Sequence, residues 1–244
     1  LEKKDVYIMS KYLLVIADYQ SPKKEIFAEQ ISPRNKEWAE QHGYEYIVVT
    51  GEEPIRNSVH WRCFTVPAKM VNDGTLKEGD TLVNFDADMV VSKMEHDYPN
   101  DKTFAYSIDN GNTHCMGNYS LKMNAWALGL MNNLLSDELF SKMQNNAHWQ
   151  GFGEQAAWYT LAGICHHSWV PFLDMDNYGW HTNFTDETRY SIRELHEHVH
   201  VLGPEWNTTL IDPNEKYYIQ PSNPEDTIIR HFAGGHPWEV DKWI

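Results

Sequence analysis

The sequence predicts an α/β fold in which a parallel sheet carries helices on its faces. Short apolar runs of strand length recur in the amino-terminal part of the chain, and polar segments with helical spacing of their apolar residues separate them. Strands and helices that alternate in this way form parallel sheets with crossover helices. The chain has 244 residues, of which 41% are hydrophobic and 13% aromatic, so it is long enough for one large core.

The amino-terminal elements can be placed in order from these patterns. The first apolar run ends in a carboxylate, as expected of a strand buried on both faces, and the first helix should restart near Pro33. Ligands bind to such sheets at the carboxyl ends of the strands, so functional residues are expected there. The predicted strands are residues 11–18 (KYLLVIAD), 44–50 (YEYIVVT) and 81–91 (TLVNFDADMVV), and the predicted helices are residues 21–42 and 61–72.

Charge and cysteine content exclude several classes of partner. The chain carries 35 acidic and 20 basic residues, a formal net charge of −15. Nucleic acid is therefore not expected as a partner, and a phosphate-bearing ligand would need a metal ion or local positive charge. The three cysteines, Cys63, Cys115 and Cys165, are widely spaced and fit neither a disulfide framework nor a zinc knuckle. They predict buried, reduced thiols.

Targeting signals are weak. No run approaches the ~20 apolar residues of a membrane span, and the charged start LEKKD precedes no signal-peptide hydrophobic region. A cytoplasmic protein is expected, with a trimmed ectodomain from the Golgi lumen as the alternative. Asn118, Asn183 and Asn207 match the glycosylation acceptor pattern, which matters only in a secretory context.

The third predicted strand contains two aspartates, Asp86 and Asp88, within NFDADMVV. Residues i and i+2 of a strand face the same side, so both carboxylates should project together into the crevice at its carboxyl end. Buried negative charge is costly unless it is compensated. Two hard oxygen donors at one point favour a divalent cation that keeps positions open for substrate phosphates. The competing interpretation is a turn with two solvated aspartates.

Residues 227–238 (TIIRHFAGGHPW) supply a further candidate ligand. A short apolar strand leads to His231, and Gly234 and Gly235 then allow the backbone to approach a ligand closely. We therefore interpret His231 as the third metal ligand and the Gly-Gly turn as a cradle for a diphosphate. A histidine with a purely structural hydrogen bond is the alternative.

Together, FDADMVV and HFAGGHPW resemble segments of the metal-dependent glycosyltransferases of the GT-A fold. The resemblance is to the retaining galactosyltransferase and glycogenin-like group (family eight) and to the galactosyl-, mannosyl- and xylosyltransferase group (family thirty-four). Both groups carry D-x-D after an apolar strand and an H-[FY]-x-G segment near the carboxyl terminus.

The resemblance implies both a fold and a reaction. The fold is a single GT-A domain over residues 1–244 with a mixed, mostly parallel sheet. Residues 11–91 would form a Rossmann-like half that binds the nucleotide sugar, and residues 103–244 the acceptor side and the metal-binding carboxyl-terminal segment. The reaction is transfer of a hexose or pentose, with retention, from a UDP-sugar to a glycan or other hydroxyl acceptor, with GDP-sugars as the alternative donors. Manganese, or else magnesium, would be held by Asp86, Asp88 and His231.

Further residues match positions of the same families. Asp18 looks like the carboxylate that binds the nucleobase, and Arg62 resembles an arginine near the sugar and its phosphates, with an ordinary surface arginine as the alternative. Glu154 would bind sugar hydroxyls and Gln155 would lie near the anomeric carbon, unless they only begin a helix. The implied donor-binding positions are Asp18, Arg62, Asp86, Ala87, Asp88, Gly234, Gly235 and His236, and the implied catalytic positions are Arg62, Glu154 and Gln155.

Three other segments are similar to these families or are interpreted by position. Met116-Gly117 to Trp126 is similar to an N-x-G strand followed by a tryptophan, although Cys115 stands where asparagine is expected. Residues 202–207 (LGPEWN) look like a late L-x-x-x-W-N strand. Residues 169–190, which are aromatic and polar, are interpreted as an acceptor-side loop.

Two other functions compete with the transferase interpretation. His196, Glu197 and His200 satisfy H-E-x-x-H, the zinc-peptidase pattern, which needs a sustained helix. Val199, Val201 and the Gly-Pro pair that follows favour a strand and a turn instead. The third possibility is a non-catalytic protein of the same fold that binds nucleotides or carbohydrates through its tryptophans.

Overall fold

The structure is a computed structural model that describes residues 9–17, 23–50, 59–108, 114–144, 153–163, 186–209 and 224–232. Its strands are β1 (Lys11–Ile16), β2 (Glu45–Val49), β3 (Thr81–Asp86), β4 (Met89–Val91), β5 (Phe104–Ile108), β6 (His114–Lys122), β7 (Val199–Leu202), β8 (Thr208–Thr209) and β9 (Ile229–His231). Its α-helices are α1 (Lys23–Ile26), α2 (Ser32–Gln41), α3 (Arg62–Asn72), α4 (Ala125–Leu134), α5 (Asp137–Gln144), α6 (Gly153–Ala162) and α7 (Ile192–His198).

The strands form a six-stranded sheet and a smaller one. The order in the large sheet is β2-β1-β3-β6-β5-β7. β1 is parallel to both β2 and β3, and β7 is parallel to β5, whereas β6 is antiparallel to its neighbours β3 and β5. The small sheet has the order β4-β9-β8. The predicted α/β class and its mixed, mostly parallel sheet are therefore confirmed.

The large sheet separates two hydrophobic clusters, and β1 shows how. Tyr12 and Leu14 belong to one cluster, whereas Leu13 and Val15 belong to the other, because alternate residues of a strand face opposite sides. Each apolar side chain buried in this way stabilises the fold by about 1.5–3 kcal/mol. The first cluster includes Phe64 of α3, Leu130 of α4, Leu139 of α5 and Trp158 of α6; the second includes Trp38 of α2, Val90 of β4 and Ile229 of β9.

Several amino-terminal elements lie where the sequence places them. The segment after β1 is helical in three parts, namely α1, a π-helical turn over Phe27–Ile31 and α2, and Pro33 stands at the start of α2 as predicted. A 3-10 turn over Val59–Trp61 leads into α3. Pro33 has no backbone N–H to donate, and it directly follows the π-helical turn, where the α-helical hydrogen-bond pattern is interrupted.

Two predicted strands are wrong in detail. Residues 81–91 do not form one strand: β3 ends at Asp86, the chain turns at Ala87 and Asp88, and β4 belongs to the small sheet. Residues 202–207 are not a strand either, because β7 ends at Leu202 and a 3-10 turn over Pro204–Trp206 follows. Proline has no backbone N–H to offer a sheet, and here it opens the turn that leads to β8.

The structure also bears on the cysteines and on the glycosylation motifs. Cys63 and Cys115 are free and buried, as predicted, and Cys165 lies outside the described residues. Asn118 and Asn207 are 0% exposed, so neither side chain is accessible for glycosylation in the folded chain, and Asn183 lies outside the described residues. Among the helices that are described, none has the length and apolarity needed to cross a membrane.

Candidate metal centre

Asp86, Asp88 and His231 meet at the carboxyl end of β3. One ligand atom of each side chain lies within 4.8 Å of those of the other two. Asp88 and His231 are 9% and 8% exposed, and Asp86 is partly exposed. Two carboxylates and one imidazole therefore surround a single point at the carboxyl end of β3.

Strand pairing in the small sheet, rather than alternation along one strand, brings these residues together. Asp86 is the last residue of β3, and Asp88 lies in the turn that follows. β4 pairs antiparallel with β9 so that Met89 is opposite His231, and Phe232 N donates a hydrogen bond of 2.8 Å to Asp88 O. The expectation that the two aspartates face the same side of one strand was wrong, although their carboxylates do converge.

Gly117 in β6 leaves space for the Asp86 carboxylate. β3 and β6 pair so that Phe85 is opposite Asn118, which places Gly117 beside Asp86. A Cβ atom built at Gly117 would lie 2.3 Å from Asp86 Oδ2 and 3.1 Å from Met89 Cε. A side chain at this position would therefore displace a candidate ligand.

Two buried asparagines make hydrogen bonds close to the candidate ligands, one to β4, which follows Asp88, and one to His231. Asn35 in α2 donates from Nδ2 to Met89 O (2.8 Å) and accepts from Val91 N at Oδ1 (3.0 Å). The Asn35 side chain thus satisfies one backbone carbonyl and one backbone N–H of β4, as a neighbouring strand would. Asn207 Oδ1 lies 2.8 Å from His231 Nδ1. The sequence patterns indicate no role for Asn35, and they mark Asn207 only within a glycosylation motif and, like Gly117, within a segment similar to known families.

The electrostatics of the cluster reflect its excess of carboxylates. Burial of the carboxyl and the charge of Asp88 raise the pKa of Asp86 to about 7, although His231 opposes the rise. Burial also disfavours ionisation of Asp88, but the nearby charge of His231 outweighs it, so the pKa of Asp88 lies below its ordinary value. Each carboxylate thus disfavours the charge of the other, and a further positive charge between them would be favourable.

These donors fit a divalent cation. His231 Nε2 lies 3.4 Å from Asp88 Oδ1, yet Asp88 Oδ1 is buried and has no hydrogen-bond partner among the described residues. A buried carboxylate oxygen without a partner is costly, and a cation between the three side chains would satisfy it. Carboxylate oxygens with one imidazole are ligands that suit Mn²⁺ or Mg²⁺, whereas soft metal ions prefer sulfur ligands.

Of the other predicted site residues within the described part of the chain, Arg62, Ala87 and Glu154 are buried and Gln155 is partly exposed. Arg62, the first residue of α3, is 0% exposed, so the alternative of a surface arginine is wrong. Glu154 begins α6 and is 9% exposed, with Oε2 lacking a hydrogen-bond partner among the described residues. Gln155 Oε1 accepts from Met116 N (3.3 Å). Ala87 is buried in the turn between the two aspartates.

Glu154 is electrostatically connected to the cluster. Burial raises the pKa of Glu154 to about 8 against the effect of a backbone hydrogen bond, and the charge of Asp86 adds to the rise. Asp18, Gly234, Gly235 and His236 lie outside the described residues, as do residues 169–185 of the predicted acceptor-side loop.

The H-E-x-x-H segment does not form a zinc site. His196 and Glu197 are in α7, but the helix ends at His198, and His200 is in β7. His200 Nδ1 lies 2.8 Å from Asp101 Oδ1. Among the described residues, the His, Cys, Asp and Glu side chains that cluster as metal ligands are Asp86, Asp88 and His231. The expected alternative of a zinc peptidase is therefore not favoured.

Comparison with known proteins identifies the fold. No protein-family model matches the sequence, and no curated protein matches it either. Among solved structures, the chain is similar to a glycosyltransferase involved in the glycosylation of the major capsid of PBCV-1. The TM-score is 0.54 and the identity 15%, over 95% of this chain and 97% of that chain. This likeness shows that the chain has the GT-A glycosyltransferase fold.

Two other solved structures match less well. Mouse xyloside xylosyltransferase 1, in its apo form, is 12% identical with a TM-score of 0.48, over 91% of this chain and 97% of that chain. A mutant of Drosophila β1,4-galactosyltransferase 7, in complex with manganese, UDP-Gal and xylobiose, is 11% identical with a TM-score of 0.38, over 93% of this chain and 72% of that chain. Of these three structures, the PBCV-1 glycosyltransferase is the one whose TM-score exceeds 0.5.

Proposed function

We propose that this chain is a metal-dependent glycosyltransferase that transfers a hexose or pentose, with retention, from a UDP-sugar to a hydroxyl group of a glycan or another acceptor. The observation that carries the proposal is the cluster of Asp86, Asp88 and His231 at the carboxyl end of β3. In sheets of this kind, ligands bind at that end of the strands. A net charge of −15 makes a diphosphate an unfavourable ligand unless a cation accompanies it.

In this proposal, Asp86, Asp88 and His231 hold a manganese ion, with magnesium as the alternative. The bound ion would supply positive charge that stabilises the negative charge developing on the leaving diphosphate. Arg62 adds positive charge on the protein side, since a buried guanidinium in an acidic protein offsets negative charge strongly. Asp18 would bind the nucleobase, and the backbone of Gly234 and Gly235, together with His236, would bind the diphosphate.

Glu154 and Gln155 would contact the donor sugar. Glu154 Oε2 is buried without a hydrogen-bond partner among the described residues, and a sugar hydroxyl would provide one. Gln155 is fixed against β6 through its hydrogen bond from Met116 N. The bond between the anomeric carbon and the phosphate oxygen breaks, and its electron pair leaves with the nucleoside diphosphate. The acceptor oxygen forms the new bond to the anomeric carbon, and its proton passes to the departing diphosphate oxygen.

A thermal-shift panel tests this function. Wild-type protein is heated with UDP- and GDP-sugars, each with and without Mn²⁺, and the panel is repeated on Asp88→Ala. At least one nucleotide sugar should raise the Tm of the wild type only when Mn²⁺ is present, because binding to the folded state alone stabilises it. Asp88→Ala should lose this rise. If no nucleotide sugar stabilises the wild type with any metal, the proposal is wrong.

Two further measurements separate the alternatives. A catalyst should release nucleoside diphosphate from its donor in the presence of Mn²⁺, whereas a protein that only binds would release none. Glu197→Ala provides a matched carboxylate control, because its side chain is 65% exposed and lies outside the cluster. This variant should release diphosphate at the wild-type rate. A loss of activity in Glu197→Ala, together with bound zinc, would favour the peptidase instead.

A further inference from the structure

Asn207 is a fully buried side chain that contacts a candidate metal ligand. It follows the 3-10 turn over Pro204–Trp206 and precedes β8, which is parallel to β9. Its exposed fraction is 0%, and its Oδ1 lies 2.8 Å from Nδ1 of His231. Its Nδ2 has no hydrogen-bond partner among the described residues. Among the described residues, the hydrogen bond to His231 is therefore what compensates the burial of this polar side chain.

This hydrogen bond determines which ring nitrogen of His231 carries a proton. The amide oxygen of asparagine only accepts hydrogen bonds, so Nδ1 must donate to it. In the neutral ring, Nε2 then has its lone pair available, on the side of Asp88 Oδ1 at 3.4 Å. With the amide group turned around, Nδ2 would donate to Nδ1, and Nε2 would carry the proton and be unable to bind a metal ion.

We propose that Asn207 is a positioning residue of the metal centre: its Oδ1 accepts the Nδ1–H of His231 and thereby holds the ring with Nε2 as the ligand atom. The inference rests on the proposed function in that it takes the cluster to hold a divalent cation. Metal-binding histidines generally donate their second N–H to a fixed acceptor, and loss of that acceptor typically weakens metal binding by about 10- to 100-fold.

Two substitutions separate an acceptor from a donor at this position. Asn207→Leu has a similar size but no acceptor, whereas Asn207→Asp keeps an oxygen for Nδ1–H. Because Nδ2 of Asn207 has no partner among the described residues, Asn207→Asp removes no other hydrogen bond of that group. Isothermal titration calorimetry with Mn²⁺ alone, without nucleotide, should give a Kd about 10- to 100-fold higher for Asn207→Leu. Asn207→Asp should bind Mn²⁺ at least as tightly as the wild type.

Asn124→Ala controls for a general loss of stability. Asn124 caps α4 by accepting from Ala127 N (2.9 Å), and such a cap is worth about 1 kcal/mol. The variant should bind Mn²⁺ as the wild type does. A second readout is the ¹⁵N NMR signal of the His231 ring in metal-free protein at alkaline pH, assigned with His231→Ala. It should report a proton on Nδ1 in the wild type and in Asn207→Asp, and a mixture of tautomers in Asn207→Leu.

The outcomes distinguish this inference from the proposed function. If the wild type does not bind Mn²⁺, the proposed metal centre fails, and the inference fails with it. If the wild type binds and Asn207→Leu binds equally well, only the positioning role is wrong. If Asn207→Asp binds as weakly as Asn207→Leu, the asparagine donates rather than accepts, which also overturns the inference. Should Asn207→Leu not fold, Asn207→Asp and the tautomer measurement still decide.

Discussion

Substitution of Gly117 by alanine tests whether Asp86 occupies its observed position when a metal ion binds. The added Cβ would lie 2.3 Å from Asp86 Oδ2 and 3.0 Å from its Cγ. An ordinary carbon–oxygen contact is about 3.3–3.6 Å, so the carboxylate must move by roughly 1 Å. Metal–ligand distances tolerate only about 0.2 Å. The variant should therefore lose Asp86 as a ligand.

Two measurements give the expected size of the effect. Isothermal titration calorimetry should show that Gly117→Ala binds Mn²⁺ at least about tenfold more weakly. Loss of a residue that only hydrogen-bonds to a ligand already lowers metal affinity about 10- to 100-fold, and loss of the ligand itself should lower it at least as much. Thermal or urea unfolding without metal should show a loss of about 1–3 kcal/mol, the usual cost of overpacking a dense site.

Gly129→Ala is the matched control. Gly129 lies inside α4, and a Cβ there would meet no heavy atom within 4 Å. Alanine in a helix interior should stabilise the protein by about 0.5–1 kcal/mol and leave Mn²⁺ binding unchanged. If folded Gly117→Ala binds Mn²⁺ with wild-type affinity, Asp86 is not a ligand in the observed geometry, and the reasoning is refuted.

Two further predictions concern the buried polar groups around the cluster. The raised pKa of Glu154 contributes stability that is fully present below the ordinary value of 4.5 and is lost as the pH rises through about 8. Urea unfolding in EDTA should therefore show that the free energy of unfolding falls over this pH range. At about 1.4 kcal/mol per pKa unit, Glu154 accounts for at most about 5 kcal/mol of the fall, so Glu154→Gln should show a smaller one. If the free energy of unfolding falls equally with pH in both proteins, Glu154 is not the group responsible. Asn35→Leu leaves Met89 O and Val91 N without their side-chain partner. It should therefore lower the free energy of unfolding by about 2–4 kcal/mol and weaken Mn²⁺ binding. If the free energy of unfolding falls by less than about 0.5 kcal/mol, β4 does not need this contact.

The fold class and the three candidate ligands follow from local sequence patterns. KYLLVI and EYIVV are apolar enough to indicate β1 and β2, and the position of Asp86 and Asp88 after an apolar run indicates a strand-end site. His231 was found because it ends a short apolar strand and precedes two glycines. These signals lie within a few residues of one another, which is the range over which periodicity is informative.

The turn at Ala87 was only the competing interpretation of NFDADMVV. Asp86 and Asp88 are residues that can mark a chain reversal, but the buried apolar residues of β3 and β4 on either side of them favour one continuous strand. The contributions of Asn35 and Asn207 depend on partners 54 and 24 residues away. Helix propensity and turn patterns report nothing about such distant partners, and an asparagine in a polar helix resembles any surface residue.

The chemistry of the neighbouring thiols bears on the metal that this cluster would select. Burial, together with the negative charges of Glu154 and Asp86, raises the pKa of Cys63 well above its ordinary value, so Cys63 remains a neutral thiol at physiological pH. A cysteine binds a metal ion as the thiolate, so a neutral thiol is a poor ligand. Burial is the main cause of this rise and the charge of the candidate ligand Asp86 adds to it, so Cys63 offers the cluster no thiolate. The ligand atoms that the described residues bring together are therefore carboxylate oxygens and an imidazole nitrogen.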